Sequence, residues 1–482
     1  MHVHLVGVSG TGMGALAALF RERGDRVTGS DVAFHPPVGP FLREAGVECL
    51  EGWDPAHLEP APDLVIVGNV IRRDNPEAMA AEARGLRRES MSGALRAQFL
   101  AGRRAVVIGG THGKTTTSAI SAHVLRSAGL EPGWFIGGLP KNLPAGAGLG
   151  RAKRSLLDKS PSPFVVEGDE YDAVYWNKQP KLLDYVGVSS TDVAVITSVE
   201  HDHVDIYPDE ASYVAAFRAF VERIPEGGLL VVDASQKLAR EVAKHAKCTI
   251  AYYALDRDDT GDVTPTWLAA LGPIEGGMQQ FDAFVGGASI GRFALRVPGA
   301  HNVRNALAAL AVAAQGFEVP WSASRAALAS FEGVARRQDL LGAPRGVFVY
   351  DDFAHHPTAV DETLRALRRK HPDGRLFAVF EPRSATACRN VHQEAYGRSF
   401  GAADRVLLAP LGRANVPEAE RLDRAAIARV LGPKAETPDG VDAIVATLAR
   451  EAKAGDVIAV MSNGAFGGLH EKLLSALAKD PP

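Results

Sequence analysis

Residues 106–125 read VVIGGTHGKTTTSAISAHVL, and the reading of this stretch decides the fold. Val106, Val107 and Ile108 form an apolar run of the kind that fills a buried parallel strand. Gly109 and Gly110 end it, Thr111-His112-Gly113-Lys114-Thr115-Thr116 follows, and the pattern then turns helical. Strand, glycine turn, Lys-Thr and helix together make a phosphate cradle. Backbone N–H groups turn inward, the helix N-terminus adds its dipole, and a lysine reaches the β- and γ-phosphates. ATP is the expected ligand, on Gly110, Thr111, Gly113, Lys114, Thr115 and Thr116, with Thr115 placed to ligate Mg²⁺. The loop is shorter than the usual G-x-x-x-x-G-K-[ST], because Ile108 stands where the first glycine would be. Lys114 is expected to be a mobile loop side chain without a packing role. The structural alternative is a plain glycine-rich turn carrying a surface lysine.

The bulk properties bound the rest. A chain of 482 residues asks for about three domains of ordinary size. Hydrophobic content of 46% with 23% charged residues is that of a globular protein. Fifty-three basic against 57 acidic residues, a net charge of −4, provide no basic field for nucleic acid. Cys49, Cys248 and Cys388 are odd in number and widely spaced, which predicts neither disulfides nor a zinc site and fits a reducing compartment. MHVHLVGVSGTG enters a strand at once, without a basic segment or cleavage site, and no apolar run reaches membrane-spanning length. The expectation is a cytoplasmic enzyme acting on small molecules, with no membrane or nucleic-acid partner.

Taken in order, the pattern predicts an α/β protein of three units. In residues 1–103 an apolar strand runs into a loop that fits G-x-G-x-x-[GA] at Gly10, Gly12 and Ala15. A helix over 15–23 and the strand Arg26–Asp31 follow. This Rossmann-like half predicts a nucleotide diphosphate on Gly10, Thr11, Gly12 and Met13, with Asp31 at the next strand end. NAD is the habitual occupant of such a loop, and a purely structural turn is the alternative. Residues 104–333 open with the phosphate cradle. Residues 139–163, rich in Gly, Pro and Ser, read as a surface loop. Two strands then end in polar clusters, Glu167-Gly168-Asp169-Glu170-Tyr171-Asp172 and Glu200-His201-Asp202-His203-Val204-Asp205, where parallel sheets place their chemistry. Residues 253–297 read as a small antiparallel appendage, and Gly299-Ala300-His301-Asn302 opens a helix running to about Gln315. Residues 334–482 alternate strands and helices again, as a third, Rossmann-like sheet.

Six motifs in this order, GTHGKTT, VEGDEYD, EHDHVD, GAHNVRN, ARRQD and DDFAHHPT, resemble those of the Mur ligases, which build peptidoglycan peptides on UDP-N-acetylmuramate. The resemblance covers essentially the whole chain. It implies a Rossmann-like UDP-binding domain, a P-loop ATPase-like central domain and a Rossmann-like C-terminal domain. HLVGVSGTGMGALA is similar to the UDP loop of members that take UDP-N-acetylmuramate itself, which displaces NAD. DDFAHHPT, FEPRS, VGNVIRRDNPE and VEHDHVDIYPD are closer to the branch that attaches L-alanyl-γ-D-glutamyl-meso-diaminopimelate during wall recycling than to the branch that adds L-alanine. Phe353-Ala354 stands where the L-alanine branch usually has Tyr-Gly.

The implied chemistry is amide formation through an acyl phosphate, in which the protein positions reactants and neutralises charge. Lys114 would act on the β- and γ-phosphates, and Thr115 with Glu167 would hold Mg²⁺. The resemblance puts a second Mg²⁺ on His203, although nitrogen suits softer metals better; a histidine hydrogen-bonded to Asp202 or Asp205 is the bland alternative. His201 is expected to be structural. Asn302, with Asn305 as a second candidate, would read the adenine edge, a helix cap being the alternative. Arg337 would reach the phosphates and Asp352 the ribose. His355 and Arg383 are the candidate peptide-side residues, with Glu381 and Asn463 nearby; for Arg383 the alternative is a domain-interface ion pair. Arg218 stands about where some members carry a carbamylated lysine, so no modified lysine is expected. A P-loop motor ATPase and an NAD-dependent oxidoreductase are the rival classes, and neither accounts for both glycine loops together with the acidic strand ends.

Overall fold

A computed structural model describes residues 1–151 and 161–479 of the chain. It is a three-domain α/β architecture, each domain built on its own sheet. The first sheet is wholly parallel, in the spatial order Glu48–Glu51, Arg26–Asp31, His2–Val6, Leu64–Val67, Arg88–Ser90. The chain reverses direction across the sheet beside His2–Val6, and the glycine loop leaves that strand at this switch point. The helix starts earlier than the apolar pattern suggests, at Thr11 and not at Ala15, so Gly12 and Gly14 lie in its first turn.

The central sheet has ten strands. Arg104–Gly109 lies between Val193–Ile196 and Pro163–Glu167, parallel to both, and Val106, Val107 and Ile108 are wholly buried. This triple registry brings the cradle, the Glu167 strand end and the 197–203 segment to one edge. Residues 253–297 are not an appendage. Tyr253–Leu255 finish the strand Thr249–Leu255, which pairs in parallel with Trp267–Glu275. Met278–Val285 and Ala288–Leu295 then continue the same sheet as an antiparallel meander. The two-residue turns Gly276-Gly277 and Gly286-Gly287 permit this, and Trp267, Phe281 and Phe293 point into the shared core. Of the expected loop 139–163, residues 152–160 lie outside the described residues, and Ala147–Gly148 pairs with Gly133–Phe135 at the far edge.

The third sheet runs Asp339–Gly342, Phe348–Asp352, Val457–Met461, Leu376–Phe380, Arg405–Leu408, Ala435–Glu436. Its first strand alone is antiparallel, and apolar clusters cover both faces. Among the described residues no helix is long and apolar enough to cross a membrane.

One buried carboxylate sets the entry to the central strands. Asp192, fully buried, accepts from the backbone N–H of Ala105 at 3.1 Å and of Val188 at 2.7 Å, and from the Ser189 hydroxyl at 2.7 Å. Asp192→Ala should destabilise the central domain by about 3 kcal/mol, since several buried donors lose their acceptor. Thermal unfolding checks it; a melting temperature within one degree of the parent would show the carboxylate to be dispensable.

Candidate active site

The phosphate loop is fastened to the neighbouring strand end. Thr111 N–H donates to the Ser198 carbonyl at 3.1 Å and His112 N–H to the Ser198 hydroxyl at 2.8 Å. The Thr111 hydroxyl exchanges hydrogen bonds with the Glu200 backbone, 2.9 Å each way. Two glycines are required for this approach. A Cβ on Gly110, at φ +134°, would lie 2.1 Å from the Thr197 hydroxyl, and one on Gly113, at φ +80°, would lie 2.5 Å from Asn305 Oδ1. Behind the loop the helix Lys114–Ser127 opens with its first N–H groups aimed into a cavity of about 850 Å³.

Lys114 departs from the sequence expectation. Its ammonium is only 15% exposed and sits 2.9 Å from both oxygens of Glu170, itself 1% exposed, while also donating to the Gly110 carbonyl. Burial alone would lower its pKa; the Glu170 carboxylate outweighs burial and holds it above the usual lysine value. The lysine is therefore parked on a buried partner, and its position depends on that partner.

Thr115 Oγ1 donates to Glu167 Oε1 at 2.8 Å, and Gly137 N–H donates to Glu167 Oε2 at 2.6 Å. This paired hydroxyl and carboxylate, both lining the cavity, are hard oxygen donors, and they suit a Mg²⁺ ion. His203 stands apart from that pair. Its φ is +54°, its ring packs on Tyr171 with centroids 4.5 Å apart, and its Nε2 lies 3.8 Å from Glu170 Oε2. Asp202 bonds the His203 backbone N–H at 2.7 Å, so the bland alternative holds for the backbone and not for the imidazole. His201 Nε2 contacts the Tyr207 carbonyl at 2.9 Å, a structural role.

On the opposite wall Asn302 Nδ2 donates to the Pro298 carbonyl at 2.8 Å, and Asn305 Nδ2 to Asn302 Oδ1 at 3.3 Å. Neither caps the helix Ala300–Ala311, whose N-cap is Gly299 without a side-chain bond. Arg337 stacks over Phe353 at 4.9 Å and donates to Thr115 Oγ1 at 3.3 Å, joining the third domain to the cradle. Asp352 lines the cavity. Its two oxygens take the N–H groups of Gln338 and Ala354, each at 2.7 Å, bracing the turn that carries Arg337. Burial raises its pKa.

Thr11 and Gly12 line the same cavity beside Phe135 and Met91. The Met13 side chain lies in the core, and Asp31 accepts from Ser9 N–H at 2.8 Å. His355 also lines the cavity, with Nε2 3.7 Å from Asp202. Arg383 lies outside the cavity lining; it pairs with Glu381 at 3.6 Å within its own domain and not across an interface. Arg218 pairs with Glu222 on the surface.

Sequence reasoning assigned no role to several residues that the fold brings here. Glu170 was visible only as one of four clustered acids. Arg304 binds Asp258 and reaches Glu362 of the helix Pro357–Lys370 at 3.5 Å, across the boundary between the second and third sheets. Burial pushes Glu362 up to about 7 and Asp233, 4.0 Å from Arg304, to about 6. Only Arg304 lies in a quoted motif, GAHNVRN; the cluster as a whole was not visible because its members come from four separate segments.

Family models match the chain in three consecutive pieces. Residues 2–103 match the Mur ligase family catalytic domain, 108–313 the Mur ligase middle domain and 336–464 the Mur ligase glutamate ligase domain. The chain is 35% identical over 480 residues to the UDP-N-acetylmuramate–L-alanyl-γ-D-glutamyl-meso-2,6-diaminoheptandioate ligase of Escherichia coli K12, covering 99% of each. It is 36% identical over 484 residues to the UDP-N-acetylmuramate–L-alanine ligase of Kineococcus radiotolerans, covering 99% of this chain and 96% of that one. Among solved structures it is similar to a murein peptide ligase of Psychrobacter arcticus, at 34% identity and a TM-score of 0.71, over the whole of both chains.

The Lys114–Glu170 pair yields a prediction. Lys114→Ala should abolish ATP turnover and also cost about 3 kcal/mol of stability, because it strands a buried carboxylate. The double variant Lys114→Met/Glu170→Gln should recover most of the stability and none of the turnover. Thermal melts and phosphate release measure the two; turnover above a tenth of the parent in Lys114→Ala would remove the lysine from catalysis.

Proposed function

The chain belongs to the Mur ligase family and is an ATP-dependent amide ligase of peptidoglycan metabolism; on that premise we propose that it joins the lactoyl carboxylate of UDP-N-acetylmuramate to the amine of L-alanyl-γ-D-glutamyl-meso-diaminopimelate. Family membership displaces the oxidoreductase and motor readings. The observation that carries the proposal is a single cavity lined at once by the N-terminal glycine loop, the phosphate cradle and the third domain. Such a cavity suits a reaction that needs a nucleotide sugar, ATP and an amine side by side.

A carboxylate does not react with an amine in water at a useful rate until its oxygen becomes a leaving group. Transfer of the γ-phosphoryl group of ATP to the carboxylate makes an acyl phosphate; the amine attacks the carbonyl carbon, and phosphate leaves with the C–O electron pair. Lys114, released from Glu170, would follow the charge of the γ-phosphate, and Arg337 would approach it from the third domain. Thr115 and Glu167 would hold Mg²⁺, which supplies charge neutralisation on the phosphates when bound. Asn302 and Asn305 would face the adenine. His355, beside Asp202, is the candidate to receive the proton of the incoming ammonium.

Identities of 35% and 36% to the two acceptor classes do not choose between them. The strand end Glu381-Pro382-Arg383-Ser384 favours the tripeptide. Arg383, just after Leu376–Phe380, is 42% exposed, and Arg413 Nε donates to its backbone carbonyl at 3.0 Å. A peptide with several carboxylates needs such groups, whereas L-alanine has one carboxylate to place.

In a coupled assay with UDP-N-acetylmuramate, the tripeptide should exceed L-alanine at least tenfold in kcat/KM, about 1.4 kcal/mol of transition-state binding. Arg383→Ala should lower mainly the tripeptide rate. A preference for L-alanine would make the chain the biosynthetic ligase. The glycine loop has its own check: a Cβ on Gly12 would lie 2.8 Å from Met91 Sδ. Gly12→Val should raise KM for the UDP-sugar well above any change for ATP, and the opposite ordering would mean the two nucleotide sites are exchanged.

A further inference from the structure

Beside the cradle, on the side away from Thr115 and Glu167, three side chains from three segments converge. His112 comes from the phosphate loop, Glu200 from the end of the 193–199 segment, and His356 from the start of the third-domain helix Pro357–Lys370. Their ligand atoms all lie within 4.8 Å of one another, and among the described residues no other group of histidine, cysteine and acidic side chains does this. His112 Nε2 and His356 Nδ1 each stand 3.6 Å from Glu200 Oε2. Donors around a tetrahedral zinc, at about 2.1 Å from the metal, are separated by about 3.4 Å, so the two contacts to Glu200 are nearly those of a loaded site.

The hydrogen-bond inventory agrees. His112 Nε2 and His356 Nε2 are buried without a partner, and His356 Nδ1 has only a long contact of 3.4 Å from Thr358 N–H. His356 is 6% exposed. On His112 the orphaned Nε2 is the atom that faces Glu200, whereas His356 faces Glu200 with Nδ1, which also accepts at the helix N-cap; a buried ring nitrogen left unbonded is costly as mere packing. The supporting groups are present as well. Thr358 Oγ1 donates to Glu200 Oε2 at 2.6 Å, His112 is fixed through its N–H on Ser198, and the His392 ring packs on His356 with centroids 4.6 Å apart.

We propose that His112, Glu200 and His356 bind one divalent transition-metal ion of the zinc class, bridging the central and third domains at a site distinct from the oxygen pair Thr115–Glu167. Two nitrogens and one oxygen select against Mg²⁺ and for zinc, cobalt or nickel. All three residues line the cavity, which leaves a coordination position facing it. The ion ties the phosphate loop to the third domain without nucleotide. The site is independent of which amine the enzyme joins.

The test uses the untagged full chain with Co²⁺ as the probe, in excess Mg²⁺ to fill the oxygen site. The expected result is one equivalent of Co²⁺ bound, with the visible absorption of a low-coordinate nitrogen site. His356→Gln and, separately, His112→Gln should each weaken binding at least tenfold, while His203→Gln leaves it unchanged. Melting curves establish that each variant is folded, and Glu200→Gln serves if either histidine variant is not. Absence of saturable Co²⁺ binding, or its loss in His203→Gln with retention in folded His356→Gln, overturns the proposal.

Discussion

The attachment of the phosphate loop to the strand end beside it is the interaction on which the cavity depends. Thr111 and Glu200 exchange backbone and hydroxyl bonds, so the loop and the 197–203 segment move as one piece. That fixes His112 relative to Glu200. The attachment requires bare backbone at Gly110, where any Cβ collides with Thr197, and parallel registry of Arg104–Gly109 with Val193–Ile196 to align the two ends. Asp192 secures that registry from the opposite end of the strands.

A second constraint lies at the join to the third domain. Arg336 and Gln338 both adopt left-handed backbone, φ +61° and +48°, at about 1 kcal/mol or more each. The chain tolerates this because the surroundings hold both residues. Arg336 is clamped to Asp351 and to the carbonyls of Ser462 and Gly464, and Gln338 N–H to Asp352. The turn aims Arg337 back toward Thr115, across the domain boundary. Asp352, which also lines the cavity, thereby shapes the turn that delivers the arginine.

Much of this was legible in the sequence, for identifiable reasons. Strands such as 106–108 and Leu376–Phe380 are buried on both faces, and continuous apolar runs closed by glycine or proline signal that directly. Cradle residues are close in sequence, so spacing alone grouped Gly110 to Thr116. What escaped was set by tertiary pairing. Lys114 reads as a loop lysine until the fold supplies Glu170, 56 positions on. The bonds from Gln338 and Ala354 to Asp352, which brace the turn, were likewise not visible in the sequence. The run 253–297 reads as an appendage because alternation and paired glycines reveal a meander but not the strand it joins.

That meander has a consequence for the molecule in crowded solution. Extending a ten-stranded sheet ends it on Ala288–Leu295, an edge whose free carbonyls would template another chain's strand. Arg325, from the helix Trp321–Ser330, places its guanidinium on two of them, Arg292 at 2.8 Å and Ile290 at 2.9 Å, and stacks on Phe293 at 4.9 Å. The opposite edge, Ala147–Gly148, is two residues long and too short to recruit a partner. One arginine thereby serves as the guard against self-association of the largest sheet, a duty of colloidal stability and not of catalysis.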